Sequence, residues 1–150
     1  RGAGKTEDTY ESLCAAAIEL QDGTIVTGKN SCLMDAASSL VLNAAKTVAG
    51  IPDNIHLLSP NIIESIQRLK KDVLGEKMVA LNLEETLIAL SISATTNPTA
   101  QLALSSLNKL EGCEVHFTHI LSPADEKALR KLGVNVTAEP HFLSNNLFIV

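Results

Sequence analysis

The sequence predicts a three-layer α/β domain with a mixed sheet of about five strands, an N-terminal hairpin followed by parallel strands. Three observations carry that expectation. The chain has 150 residues, 45% of them hydrophobic, with no tryptophan, three phenylalanines and one tyrosine. Its core must therefore be built from Leu, Ile, Val and Ala, the palette of helices packed on a sheet. An Asp22-Gly23 turn lies between two β-prone runs and is followed by helical periodicity. Two apolar runs, finally, pass directly into Ser-Pro, at Ser59-Pro60 and Ser122-Pro123. A hydroxyl at the N-cap with proline at the first helical position marks a strand-to-helix junction, because proline's missing N–H falls where no partner exists. A domain of this length typically buries roughly 68 to 70% of its unfolded surface, so one core suffices.

Leu13 to Leu20 reads as a strand, and Thr24 to Thr27 returns after the Asp-Gly turn, a strong hairpin signal. Asn30 or Ser31 is the expected cap of a helix whose apolar stripe is Leu33, Ala36, Ala37, Leu40, Val41, Ala44 and Val48, ended by Gly50. Ile55 to Leu58 is a short apolar run read as a strand. The helix opened by Ser59-Pro60 has Ile62, Ile63, Ile66, Leu69 and Val73 as its expected buried stripe, closing near Gly75. Asn82-Leu83-Glu84-Glu85 resembles a capping box and starts an apolar helix through Leu87, Ile88, Leu90 and Ile92. Asn97-Pro98 interrupts it, and the second piece carries Leu102, Leu107 and Leu110 before Gly112. Glu114 to Ile120 reads as a strand, Ser122-Pro123 opens the last helix, and Gly133 ends it before the strand Val134 to Thr137. His56-Leu57-Leu58-Ser59-Pro60 and His119-Ile120-Leu121-Ser122-Pro123 are thus parallel β-α units. Their flanks diverge, so convergence on one chain-reversal chemistry accounts for them without a duplication.

Charge and composition exclude several functions. The formal net charge of -5 and the lack of a basic stripe argue against nucleic acid. Lys127, Arg130 and Lys131, like Arg68, Lys70 and Lys71, read as solvated helix faces. No apolar run reaches the roughly 18 residues of a membrane span, and nothing reads as a signal peptide. Cys14, Cys32 and Cys113 are odd in number and far apart, which points to free thiols in a reducing cytoplasm. The opening Gly2-Ala3-Gly4-Lys5-Thr6 looks like the back half of a phosphate loop. A phosphate loop needs a feeding strand and a helix after it, whereas Glu7, Asp8 and Glu11 follow here. Residues 1–12 read instead as a linker or frayed terminus and 13–150 as one domain. A start at Arg1 without methionine suggests a piece of a longer protein.

The stretches Asp22 to Ser31, Ile55 to Pro60, Leu87 to Ala100 and Arg130 to Thr137 resemble the C-terminal part of the bacterial family called domain of unknown function 1846. The likeness runs from about Ala15 to Pro140. It implies a domain cut from a larger protein whose N-terminal region carries its own glycine-rich loop, and it supplies no established reaction. The element order also resembles the cytidine-deaminase fold, whose zinc needs H-x-E or C-x-E at the first helix and P-C-x-x-C at the second. Here those places read Ser31-Cys32-Leu33-Met34-Asp35 and Pro60-Asn61-Ile62-Ile63. Cys32 is the single ligand available and Asp35 falls one residue too far along, so the order is shared without the chemistry.

Other constellations have plain readings. Cys113, His116 and His119 are spaced C-x-x-H-x-x-H, but residues three apart on a strand point to opposite faces. Together with His56 they read as ordinary strand or surface residues, with no metal or cofactor expected. Glu84 and Glu85 lie in a helix first turn, where carboxylates favour the dipole.

Two functions fit. The first is a non-catalytic module of a larger bacterial protein that gives assembly contacts or supports an active site elsewhere, its partners being the missing N-terminal region and a second copy of itself. The apolar helical pair from Leu83 to Leu110 motivates it. The alternative is a small-anion or nucleotide-phosphate site built from helix-opening loops, with Lys29, Asn30, Ser31, Ser59 and Ser122 converging and Thr95, Thr96 and Asn97 adding polar groups.

Overall fold

The structure, a computed structural model, describes residues 14–138; the Gly4-Lys5-Thr6 motif and residues 1–12 lie outside them. Strands β1 (Ala15–Glu19) and β2 (Ile25–Lys29) form the expected hairpin. Gly23, at φ 90°, allows the turn, and the Asp22 carboxylate accepts the Thr24 N–H at 2.9 Å. Four helices follow: α1 (Ala36–Ala49), α2 (Pro60–Arg68), α3 (Leu83–Ala94) and α4 (Pro98–Ser105). Then β3 (Glu114–Phe117), α5 (Pro123–Leu132) and β4 (Asn135–Ala138) make a β-α-β unit with parallel strands.

The sheet is mixed, in the order β2-β1-β3-β4, with β1 antiparallel to both neighbours. It has four strands among the described residues, where about five were expected. The missing one is Ile55 to Leu58. There Leu57 and Leu58 are buried side by side while Ile55 and His56 are exposed, a pattern that a pleated strand with one buried face cannot satisfy. The segment instead plugs two leucines into the helical core. Strand β3 likewise stops at Phe117 rather than Ile120.

A second correction concerns layering. The register aligns Val26, Ile18, Val115 and Val136, and beside them Gly28, Ala16, Phe117 and Ala138, on one face. Residues from α1, α3 and α5 pack there: Ala37, Leu40, Val41, Ala44, Leu83 and Leu129. The opposite face presents Ile25, Thr27, Lys29, Glu114, His116, Asn135 and Thr137, all exposed, with Ala15 and Ala17 half-buried. No helix of the described residues covers this mostly polar face, and the helices stack in two tiers on the other side. The outer tier joins Leu42 and Ala45 of α1 to Ile63 of α2, Leu90 of α3 and Ala103 of α4. Helix α1 is therefore buried on two sides.

Local chemistry sets most boundaries as expected. Ser59, Asn82, Asn97 and Ser122 each cap the helix that follows, and Gly50 and Gly133 end α1 and α5 in the left-handed conformation. Asn82 makes a full capping box with Glu85. Asn82→Ala is expected to lower stability by about 1 kcal/mol, seen as a lower urea midpoint; an unchanged midpoint would contradict that role for the box. Helix α1 departs from the pattern. Its cap is Asp35, which accepts the Ser38 N–H at 2.9 Å, not Asn30 or Ser31. Ser31 Oγ is used earlier, accepting from the Leu33 and Met34 N–H groups, while Met34 bridges to Leu81. The chain is held extended there, and Leu33 is left exposed.

After α2 a π-helical turn, Leu69–Val73, turns Leu69 and Val73 outward, so the expected stripe ends at Ile66. The turn drives Lys70 inward. Its Nζ donates to Glu85 Oε1 and to the Ala80 carbonyl, both at 2.8 Å, tying the turn to the start of α3. Lys70 is a buried strut rather than part of a solvated face.

Candidate functional site

Two places bring polar side chains together. The first is a cavity of about 630 Å³ bounded by the end of β2 and the loop after it, the flank of α1, and residues 56–58. Lys29, Asn30 and Ser31 line it together, joined by Asn43, Lys46 and His56. The lining also includes Leu33, Met34, Leu42, Leu57, Leu58 and Ile63 but, among the described residues, no Asp or Glu. In a chain of formal charge -5, a pocket with two lysines and no carboxylate is a local positive field, which favours anions. Lys46 is buried with its Nζ 2.8 Å from the Asp53 carbonyl, and Asn43 Nδ2 donates to the Thr27 carbonyl at 3.0 Å. Both hold the walls in place. Lys29 is exposed and makes no ion pair among the described residues.

The other loops expected at this site are placed elsewhere. Ser59 adjoins the cavity through Leu58 but does not line it; its Oγ accepts the Asn61 N–H at 3.2 Å. Ser122 Oγ accepts the Asp125 N–H at 3.2 Å at the start of α5. Thr95 donates to the Ile92 carbonyl at 2.7 Å, Thr96 is exposed, and Asn97 accepts from Thr99 and Ala100. These residues close helix ends and none lines the cavity. The geometry thus joins the Lys29 loop to residues just before Ser59, and adds Lys46 and His56, which the motif reading missed. One signal for them was available: from Gly23 to Pro52 Asp35 is the single acid, against Lys29 and Lys46.

The second place is a carboxyl pair. Asp125 is 5% exposed, and its Oδ1 accepts the Leu83 N–H at 2.9 Å at the first residue of α3. Its carboxyl also hydrogen-bonds to Asp35, the cap of α1. The two acids thus meet where α1, α3 and α5 begin. Burial raises the Asp125 carboxyl to about 7, helped by the hydrogen bond and the charge of Asp35 and opposed by the Leu83 N–H. His119 stands near the same acid: burial lowers its pKa, Asp35 opposes that, and its Nδ1 is enclosed without a hydrogen-bond partner. Its ring meets Phe117 edge-on at 5.6 Å. His116 lies on the outward face of β3, its Nδ1 2.9 Å from Thr137 Oγ1, so the two histidines diverge. Burial raises the thiols of Cys14 and Cys113, leaving them protonated and weakly nucleophilic at neutral pH.

The sequence as a whole matches a family described as domain of unknown function DUF1846, C-terminal, over residues 2–148. The chain belongs to this family. Among its relatives, a UPF0371 protein of Clostridium botulinum strain Langeland, type F, is 51% identical over 138 residues, 92% of this chain and 28% of that protein. Another from strain Alaska E43, type E3, is 52% identical over 141 residues, 94% of this chain and 28% of the relative. The chain therefore spans 28% of the length of the curated relatives it matches. The family's description names no reaction. Among the described residues no helix is long and apolar enough to cross a membrane.

Proposed function

We propose that the chain serves a longer protein of this family as a non-catalytic α/β module, giving contacts to the rest of that protein and supporting an active site elsewhere in it. One observation carries the reading. Ile88 and Ile92 stand one turn apart on α3 and are 53% and 50% exposed. Fully burying such a side chain contributes about 1.5 to 3 kcal/mol, a gain left unused here. Leu102, on the adjoining α4, is exposed as well. The remainder of the longer protein is the occupant assigned to this face, because the chain spans only 28% of its relatives' length.

The double substitution Ile88→Ser and Ile92→Ser tests this. Thermal stability of the isolated chain should change little, while the longer protein carrying the same changes should melt at least several degrees lower. Equal effects on both would overturn the assignment. Self-association of the isolated chain, removed by the same substitutions in sedimentation, would give the face to a second copy instead.

The cavity favours a second reading, in which the same module holds an anion or nucleotide phosphate beside Lys29. A lining with two lysines and, among the described residues, no acid supports it. Phosphate and AMP should raise the melting temperature of the chain, and Lys29→Ala should abolish the rise. No shift with any anion would remove this reading.

A further inference from the structure

We propose that the cavity beside Lys29 takes an amphipathic anion, a small molecule with one phosphate or carboxylate head and an aliphatic body; the inference rests on the anion-binding reading and specifies its ligand.

The lining combines two chemistries. Its polar part includes Lys29 and His56, neither of which makes a side-chain hydrogen bond or ion pair among the described residues. Lys46 adds its charge from the wall but is held by the Asp53 carbonyl. An anionic head therefore has one exposed ammonium and one imidazole to meet, in a lining without a competing carboxylate among the described residues. The rest of the lining is largely aliphatic. Leu42, Leu57, Leu58 and Ile63 in it are buried and Leu33 is exposed. A volume of about 630 Å³ falls within the range of sites that hold whole small molecules, and exceeds what an inorganic anion fills.

The lining also argues against a nucleotide. A base is commonly held by stacking on an aromatic face, and among the described residues the lining offers a single such ring, the imidazole of His56, which the anionic head engages. An alkyl chain needs no such partner. Each methylene it places against the leucines contributes roughly a fourfold gain in affinity. The head fixes orientation and the body supplies most of the binding.

Calorimetric titration of the 150-residue chain with octyl phosphate, kept below its micelle concentration, tests the inference beside inorganic phosphate, octanol and AMP. Octyl phosphate should bind at least a hundredfold more tightly than inorganic phosphate, and affinity should climb from butyl through hexyl to octyl phosphate. Lys29→Ala should weaken octyl phosphate at least fivefold while leaving octanol unchanged. Octanoate in the same series identifies the preferred head, and tight binding of either acid supports the inference. Inorganic phosphate binding as well as octyl phosphate would overturn the aliphatic body and leave the anion site standing. AMP binding more tightly than octyl phosphate would do the same in favour of a nucleotide. Octanol matching octyl phosphate, with no effect of Lys29→Ala, would overturn the anionic head. Silence from every ligand removes the inference and the anion site together.

Discussion

Gly28→Ala is expected to destabilise the chain by about 3 kcal/mol, roughly 10 °C in melting temperature. Gly28 sits in β2 on the buried face, opposite Ala16. A Cβ there would lie 2.5 Å from Leu40 N, 2.7 Å from Leu40 Cα and 2.9 Å from the Ser39 carbonyl carbon. These are backbone atoms of α1, fixed by its hydrogen-bond ladder, so no side-chain rotation relieves the clash. Either α1 lifts from the sheet or β2 leaves it. Both change the cavity, whose lining draws on Gly28, Lys29, Ser39 and Asn43. Thermal unfolding checks the expectation. A variant as stable as the parent would show that α1 and β2 are not in such close contact.

Asp125→Asn should act in the opposite direction and only above mildly acidic pH. The Asp125 carboxyl is raised from 3.8 to about 7 in the folded chain. Between those values the folded state keeps a proton that the unfolded chain has released. The resulting contribution is complete below about pH 4 and is lost as pH rises through about 7. Asparagine keeps the acceptor for the Leu83 N–H and offers an N–H to Asp35, without a charge to bury. At pH 8 the variant is expected to be more stable by something on the order of 2 kcal/mol. At pH 4 the two should melt nearly together. Melting temperatures from pH 4 to 8 measure this, and a parent curve no steeper than the variant's would contradict the raised Asp125 carboxyl. Asp125→Ala removes the acceptor as well and should be less stable than Asp125→Asn throughout, because the Leu83 N–H is left buried without a partner.

The elements legible in the sequence are those whose signal is local. Asp22-Gly23, Ser59-Pro60, Asn82 with Glu85, Asn97-Pro98, Ser122-Pro123 and the two terminating glycines each act within a few residues, and each stands where the sequence places it. What escaped depends on distant partners. Ile55 to Leu58 has the composition of a strand, and only its burial between α1 and α2 shows that both leucines point inward. Lys70 reads as a surface cation because the π-turn that rotates it inward leaves no mark in composition. Asp35 and Asp125 are ninety positions apart. Asp125 reads from its spacing as an ordinary first-turn acid, a role that it also fills. The expected convergence of three loops is not seen: Lys29, Asn30 and Ser31, consecutive in the chain, line the cavity, whereas Ser59, Ser122, Thr95, Thr96 and Asn97 are occupied with their own helices. A serine or asparagine at a helix start is used first as a cap, and sequence spacing alone does not separate that use from ligand binding.

The fold gives each proposal its own place. The outward residues of α3 and α4 lie on the helical side of the sheet and address the contact reading. The cavity lies along β2 and α1 and addresses ligand binding. Stability changes at Asp125 or Gly28 report on the scaffold that holds both.

Hydroxyl-radical footprinting of the longer protein beside the isolated chain tests the module reading most directly, since it reports side-chain exposure residue by residue. Ile88, Ile92 and Leu102 should be modified in the isolated chain and protected in the longer protein, with Ile25 on the hairpin serving as an exposed reference. Equal modification of the three residues in both proteins would contradict the assignment of this face to the rest of the molecule.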